Sequence, residues 1–121
     1  MLEKLVALSF ATADNQADAD GIALMTLPTG IGFTIVGVGF AGVKSAGSNA
    51  ASVDINDDGS GITGFTTLEI AAAGDQTTFS NYVAGTAPQH IAAASVLTWD
   101  LHLTTENITG LLTIFGYWDE A

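Results

Sequence analysis

The chain is 121 residues long, with 13 Asp and Glu against 2 Lys and Arg, a formal net charge of −11, 48% hydrophobic residues, 12% charged residues and no cysteine. A chain of this length builds one hydrophobic core but not two, and its apolar content excludes a disordered acidic tail. The charge opposes nucleic-acid phosphate and anionic membrane surfaces at every approach, while the absence of cysteine removes disulfides, zinc–thiolate sites and thiol catalysis.

The opening stretch "MLEKLVALSFATA" carries a short apolar run, but Glu3 stands where a signal peptide needs positive charge, so none is expected. Leu2, Leu5, Val6 and Ser9 would stripe a helix over Leu2–Phe10, and the same residues serve a leading strand; the strand is preferred. Residues 1–20 therefore read as an N-terminal arm or leading strand followed by the acidic loop "ATADNQADADG", where Asp14, Asp18 and Asp20 break any apolar period. A sandwich domain is expected over 21–121. "IALMTL" is a short strand stopped by "PTG". Gly21–Val43 is the longest uncharged span and matches a bilayer span in length, but Pro28, Thr29 and Gly30 interrupt it, so no membrane crossing is expected. Ile31–Val43 is the long central strand. Its apolar phase changes, with Ile31, Phe33 and Ile35 on one face and Val36, Val38 and Phe40 on the other. A bulge or glycine-assisted bend is expected there, letting the strand serve two packing environments.

After the turn "KSAGSN", Ala51, Val53 and Ile55 alternate with Ser52, Asp54 and Asn56, the period of a half-buried strand. "DDG" closes it. "ITGFTTLEI" resumes at strand-like density, "AAAGDQ" turns, and "TTFSNYV" is a weaker strand leading into "AGTAPQHIAAA", read as a long loop. Leu97, Trp99, Leu101 and Leu103 then alternate with Thr98, Asp100, His102 and Thr104. "TENITG" turns, and "LLTIFGYW" is the last strand before Asp119 and Glu120. About seven or eight strands at spacings near ten, without strand–helix alternation, predict an all-β fold: a single antiparallel β-sandwich of jelly-roll or Greek-key type.

Asp54, Asn56, Asp58 and Gly59 match the first half of a helix–loop–helix calcium loop. The motif then requires a bidentate Glu at its twelfth position, where this chain has Phe65, and the flanks alternate as strands. That reading fails. A hairpin tip at Asp58-Gly59 is preferred, with a weaker alternative in which Asp54, Asn56 and Asp58 hold a hard cation with water. Asp14, Asp18, Asp20 and Gly21 receive the same two readings. His90 and His102 are candidate acid–base groups, and His102 shares a face with Asp100, two residues away. With no cysteine and no Gly-x-Ser-x-Gly elbow, a surface pair is preferred, no enzyme is expected, and no catalytic, cofactor-binding or resident metal residue is assigned. Alternation sends Phe115 and Tyr117 to the face opposite Ile114 and Trp118, as a covered outer face or a docking contact. Asn107-Ile108-Thr109 matches a glycosylation sequon and is read as a turn.

From Leu27 onward the segments "LPTGIGFTIVGVGFAGV", "SVDINDDGSGI", "TTLEIAAAGDQTT" and "SVLTWDLHLTTENITGLLTIFGYW" follow one another in an order that resembles small bacteriophage virion proteins with a jelly-roll or related β-sandwich fold. Ala94-Ser95 departs from that pattern, which has Gly-Asp before the penultimate strand. The resemblance implies a structural role on the capsid surface: a head decoration (cement) protein, self-associated as a homotrimer and bound to the major capsid protein, with a tail or fibre domain as a variant. An alternative of another class is a carbohydrate-binding β-sandwich module. Such modules present exposed aromatic platforms, and the placement of Trp99 on the apolar face of its strand counts against it.

Overall fold

The computed structural model describes residues 4–47, 49–74 and 77–120; the expectations for Leu2, Glu3, Ser48, Asp75 and Gln76 lie outside the described residues. Among the described residues the secondary structure is strand throughout: β1 (Val6–Ala11), β2 (Ala19–Thr26), β3 (Gly32–Lys44), β4 (Ala51–Asp57), β5 (Ser60–Gly61), β6 (Leu68–Ala71), β7 (Thr78–Ile91), β8 (Val96–His102) and β9 (Ile108–Asp119). Every ladder is antiparallel. One sheet has the order β1-β9-β3-β7; the other runs β2-β8-β4, with β5 and β6 both pairing with β4. The chain changes sheet from β1 to β2, β2 to β3, β3 to β4, β6 to β7, β7 to β8 and β8 to β9. This is the jelly-roll arrangement, and the expected fold class holds.

The core lies between the sheets and follows from alternation. β3 contributes Phe33, Ile35, Val38 and Phe40, and β9 contributes Ile108, Leu112 and Ile114. They meet Ala51, Val53 and Ile55 of β4 and Leu97, Trp99 and Leu101 of β8. Phe40 stacks on Phe79 at 5.5 Å and lies 6.2 Å from Trp99 across the interlayer space, so aromatic area bridges the layers. Val6, Leu8 and Phe10 of β1 pack against the same core, which makes β1 an integral edge of the first sheet.

The phase change in β3 is a bulge. Ile35 stands opposite Gly116 and Gly37 opposite Phe115, leaving Val36 as the extra residue on β3. Its effect differs from the expectation of two packing environments. One added residue reverses the alternation, so Phe33 and Ile35 before it and Val38 and Phe40 after it all enter one core.

Four segments depart from the sequence reading, and the first is "TENITG", expected as a turn, whose Ile108–Gly110 already belong to β9 and pair with Gly42–Lys44 of β3. "AGTAPQHIAAA", expected as a loop, supplies the second half of β7: Gln89–Ile91 pair with Phe33–Ile35, Thr78–Ala84 pair with Gly37–Val43, and residues 85–88 bulge between them. Pro88 cannot donate to a ladder, and it is accommodated because β7 is an edge strand and the bulge needs no donor there. "ITGFTTLEI" is not continuous. Only Leu68–Ala71 is strand, while Ile62 and Phe65 turn into the core, held by Ile55 N donating to Phe65 O (3.0 Å) and Ile62 N donating to Ile55 O (2.9 Å). β2 begins at Ala19, taking in Asp20 and Gly21 from the expected acidic loop.

At the β7–β8 turn Ala94 has φ 64°, with its N–H donating to Pro28 O (3.1 Å). A left-handed conformation costs an L-residue about 1–2 kcal/mol and costs glycine nothing, while glycine gains unfolded-state entropy of about 0.4–1 kcal/mol. Ala94→Gly is therefore expected to raise unfolding free energy by about 0.5–1 kcal/mol, seen as a higher denaturant midpoint with unchanged slope. A lower midpoint would show that the turn tolerates φ > 0 by other means.

Candidate functional site

The β4–β5 hairpin answers the question raised by Asp54, Asn56 and Asp58. Asp57 pairs with Ser60, and the two loop residues Asp58 and Gly59 have φ of 49° and 86°. A two-residue loop with both φ positive is the tight turn that Asp-Gly favours. Asp58 is then sewn to β8: its N–H donates to Val96 O (2.9 Å) and its Oδ1 accepts from Val96 N (2.8 Å). Asn56 is buried. Asp54 points to the outer face of the second sheet, where Oδ1 accepts from Thr67 N and Oδ2 meets His102 Nε2 at 3.0 Å. The acidic β1–β2 connection is committed in the same way, with Asp18 Oδ1 accepting from Leu103 N (2.7 Å). Asp54, Asp58 and Asp18 thus each have a protein donor. Among the described residues, no three His, Cys, Asp or Glu side chains group to hold a metal ion.

His102 pairs with Asp54 on the neighbouring strand, not with Asp100 two residues back. Asp100 stands opposite Asp54 in register, and its Oδ1 accepts from Gly21 N (2.7 Å), which leaves His102 to reach diagonally across the ladder. Ser52 stands opposite His102, so Ser, His and Asp share a face, but the imidazole directs Nε2 at Asp54. Burial pushes the Asp54 carboxyl up, yet the bonds from His102 and Thr67 outweigh it and hold it below the usual carboxylate range. The bond to Asp54 raises His102, against partial desolvation. His90 forms a second pair, Nδ1 to Asp119 Oδ1 at 3.0 Å, and the other oxygen of Asp119 accepts from Thr34 Oγ1. This ties β7, β3 and β9 together at one end of the first sheet.

The outer face of the first sheet has a different chemistry. The β3 bulge turns Gly37, Gly39, Ala41 and Val43 outward, so the central strand presents small residues along most of its outer side. The flanking strands are taller: β7 presents Ser80 and Tyr82, and β9 presents Leu111, Thr113, Phe115 and Tyr117. The result is a trough running along β3. Tyr82 lies across Gly37, where an added Cβ would collide with its ring and hydroxyl. Phe115 lies across Gly39, with Cε2 3.1 Å from where a Cβ would stand. The two rings meet edge to face at 5.3 Å, and Tyr82 is 55% exposed. Beyond them a depression of about 160 Å³ is lined by Gly39, Ala41, Ser80, Asn81, Leu111 and Thr113. This is well below the roughly 300–1,000 Å³ of ligand pockets, a shallow groove on the outer face of the sheet. Ser9 Oγ lies 3.1 Å from Thr113 Oγ1 and extends the hydroxyl edge onto β1.

Of the aromatic residues weighed in the sequence, Phe115 and Tyr117 face outward and Trp118 inward, its ring 4.9 Å from Phe33 in an edge contact. Trp99 is buried, as its strand pattern predicted. Tyr82 was missed. Alternation of Phe79 and Val83 against Ser80 and Tyr82 carried the signal, but it sat in a segment too weak in apolar content for its face to be assigned.

The chain matches no family model and no curated protein. Among solved structures it is similar to the EclA C-terminal domain, described as a sugar-binding protein, at a TM-score of 0.33 and 20% identity, covering 93% of this chain and 80% of that one. A TM-score of 0.33 bears on neither fold nor function.

The His102–Asp54 pair makes stability depend on pH. His102, raised in the folded state, contributes fully below its unfolded value of 6.5 and loses the contribution as pH rises through the folded one. Asp54, lowered, contributes above its unfolded value of 3.8 and loses it as pH falls through the folded one. The pair therefore acts most strongly between these limits. Because His102 is well exposed, the pair is worth about 0.2–1 kcal/mol. Urea unfolding at pH 5.5 and pH 8 should differ by that amount in favour of the lower pH, and Asp54→Asn should shrink the difference. An equal difference in the variant would assign it to other groups.

Proposed function

We propose that this protein is a carbohydrate-binding β-sandwich module whose site is the trough along β3. The observation that carries this reading is the exposed Tyr82 ring, laid with Phe115 over a glycine floor on an open sheet face. A pyranose has an apolar face of C–H bonds and an equatorial rim of hydroxyls. An exposed aromatic face receives the first through its negative quadrupole and dispersion. Ser80, Asn81, Thr113 and Ser9 border the groove and offer donors and acceptors to the second. Trp99, whose burial argued against a platform, is replaced in that role by Tyr82. The net charge of −11 selects neutral saccharides, since uronic or sulfated chains would be repelled. An open groove with one exposed ring implies weak binding per site, on the order of millimolar, equivalent to about −4 kcal/mol.

A second reading keeps the decoration role implied by the sequence resemblance. Val43 and Leu111, 50% and 44% exposed on the same face, extend its apolar surface past the aromatic pair, and a neighbouring copy or shell subunit would cover them. On this reading the protein acts as a virion component and the trough belongs to a subunit contact.

Two measurements separate the readings. Titration with neutral oligosaccharides is expected to saturate, with Tyr82→Ala weakening binding about tenfold or more, equivalent to about 1.4 kcal/mol. Gly39→Val should abolish it by displacing Phe115 and filling the trough, and a chelator should change nothing. Absence of binding across a neutral glycan array would remove the carbohydrate reading. Light scattering in 0.15 M salt is expected to report a monomer on that reading. A trimer that dissociates on Leu111→Ser would instead assign the face to self-association.

A further inference from the structure

The other end of the first sheet buries a cluster that neither reading uses. Lys44, the last residue of β3, is 2% exposed, and Glu106, in the β8–β9 connection, is 3% exposed. Asn49, in the β3–β4 connection, stands between them. Lys44 Nζ donates to the backbone carbonyls of Asn49 (3.1 Å) and Ala72 (2.8 Å). The Asn49 side-chain amide donates Nδ2 to both oxygens of Glu106, at 2.9 and 3.2 Å.

An amine, a carboxamide and a carboxylate are thus held together, the amine and the carboxylate buried and the carboxamide half-buried. We propose that Lys44 and Asn49 become joined by an intramolecular amide bond, with Glu106 carrying the proton. The reacting residues already touch through the Asn49 backbone carbonyl, which accepts from Nζ, and bond formation requires Asn49 Cγ to swing toward Nζ. Holding amine and amide in one place replaces an encounter in solution and removes that part of the barrier to aminolysis. Once the Nζ ammonium has given up a proton, the amine attacks Cγ, forming Nζ–Cγ, and the Cγ–Nδ2 bond breaks. Glu106 contacts the departing nitrogen through both oxygens, and it returns to Nδ2 the proton that Nζ loses. Ammonia leaves, and no oxidant or cofactor is involved. Burial of Lys44 and Glu106 limits the water that can compete.

The consequence is architectural. Lys44 ends a strand of the first sheet, and Asn49 precedes β4 of the second, so the bond would fasten the crossover between the layers. Placement of Lys44 here is also unusual in charge terms. The chain has only 2 Lys and Arg, and this one is withdrawn from the surface of a strongly acidic molecule.

The test is the intact mass of the purified full chain, followed by trypsin digestion after denaturation. The expected mass is lower than that of the sequence by about 17 Da, one ammonia. Trypsin cuts a free chain after Lys4 and Lys44; with Nζ acylated, residues 5–121 remain one piece. Lys44→Arg is expected at full mass and cut at position 44. Asn49→Asp, releasing water in place of ammonia, is expected about 18 Da below its own sequence mass. Glu106→Gln is expected at full mass, and if it does not fold the wild-type digest decides alone. Full mass in the wild type overturns the proposal. So does a protein about 17 Da light that is still cut after Lys44, since ammonia would then have left through an Asn succinimide.

Discussion

The single extra residue Val36 in β3 sets the rest of the structure. β3 is the central strand of its sheet, hydrogen-bonded to β9 on one side and β7 on the other. Without the bulge, the alternation that buries Phe33 and Ile35 would bury Gly37, Gly39 and Ala41 and expose Val38 and Phe40. The interlayer core would lose two large side chains, each worth about 1.5–3 kcal/mol of burial, and the Phe40 contacts to Phe79 and Trp99 would go with them. The same reversal that saves the core places glycines on the outer face. The trough with Tyr82 and Phe115 over it is therefore a product of how the core is packed, and core and site cannot be varied independently along this strand.

Polar groups are handled in a way consistent with so few basic residues. With 2 Lys and Arg against 13 Asp and Glu, most carboxylates must use other donors, and several accept from backbone N–H groups or meet imidazoles. Asp18, Asp58 and Asp100 accept from Leu103, Val96 and Gly21, while Asp54 and Asp119 each add a histidine. These contacts join edges and turns to strands where ladder bonds run out, which fixes connections rather than adding to the core. Thr67, at φ 54° beside Asp54, is held in a conformation that a β-branched residue rarely takes. Its N–H bond to Asp54 is a contact that ties this turn in place.

The two faces of the molecule consequently differ. The outer face of the second sheet carries Asp54, Asp100 and His102 on β4 and β8, already engaged with one another or with backbone. The outer face of the first sheet carries Tyr82, Phe115, Leu111 and small hydroxyl residues, with Tyr82 and Leu111 open to solvent. Recognition by contact area and hydrogen bonding fits the second description. The buried Lys44, Asn49 and Glu106 belong to neither face, and they sit where the chain passes from one sheet to the other.

The alternating runs at Ala51–Ile55 and Leu97–Leu103 determined by themselves which residues of β4 and β8 enter the core, because period-two patterning leaves one solution for a half-buried strand. The Asp58-Gly59 turn and the break in phase near Val36 were equally local, each carried by adjacent residues. The second half of β7 was not legible, since residues 84–88 carry no apolar period; residues 85–88 bulge, and the strand is re-established by the pairing of Gln89–Ile91 with β3. Nor was the fate of Phe65, which enters the core from an irregular turn, or the partner of His102, which register moved from Asp100 to Asp54. The trough and the Lys44–Asn49–Glu106 cluster were decided by tertiary structure alone. The trough assembles residues from three strands distant in sequence, whose shared face is set by pairing register, and the cluster brings the end of β3 and the β3–β4 connection against Glu106 of the β8–β9 connection.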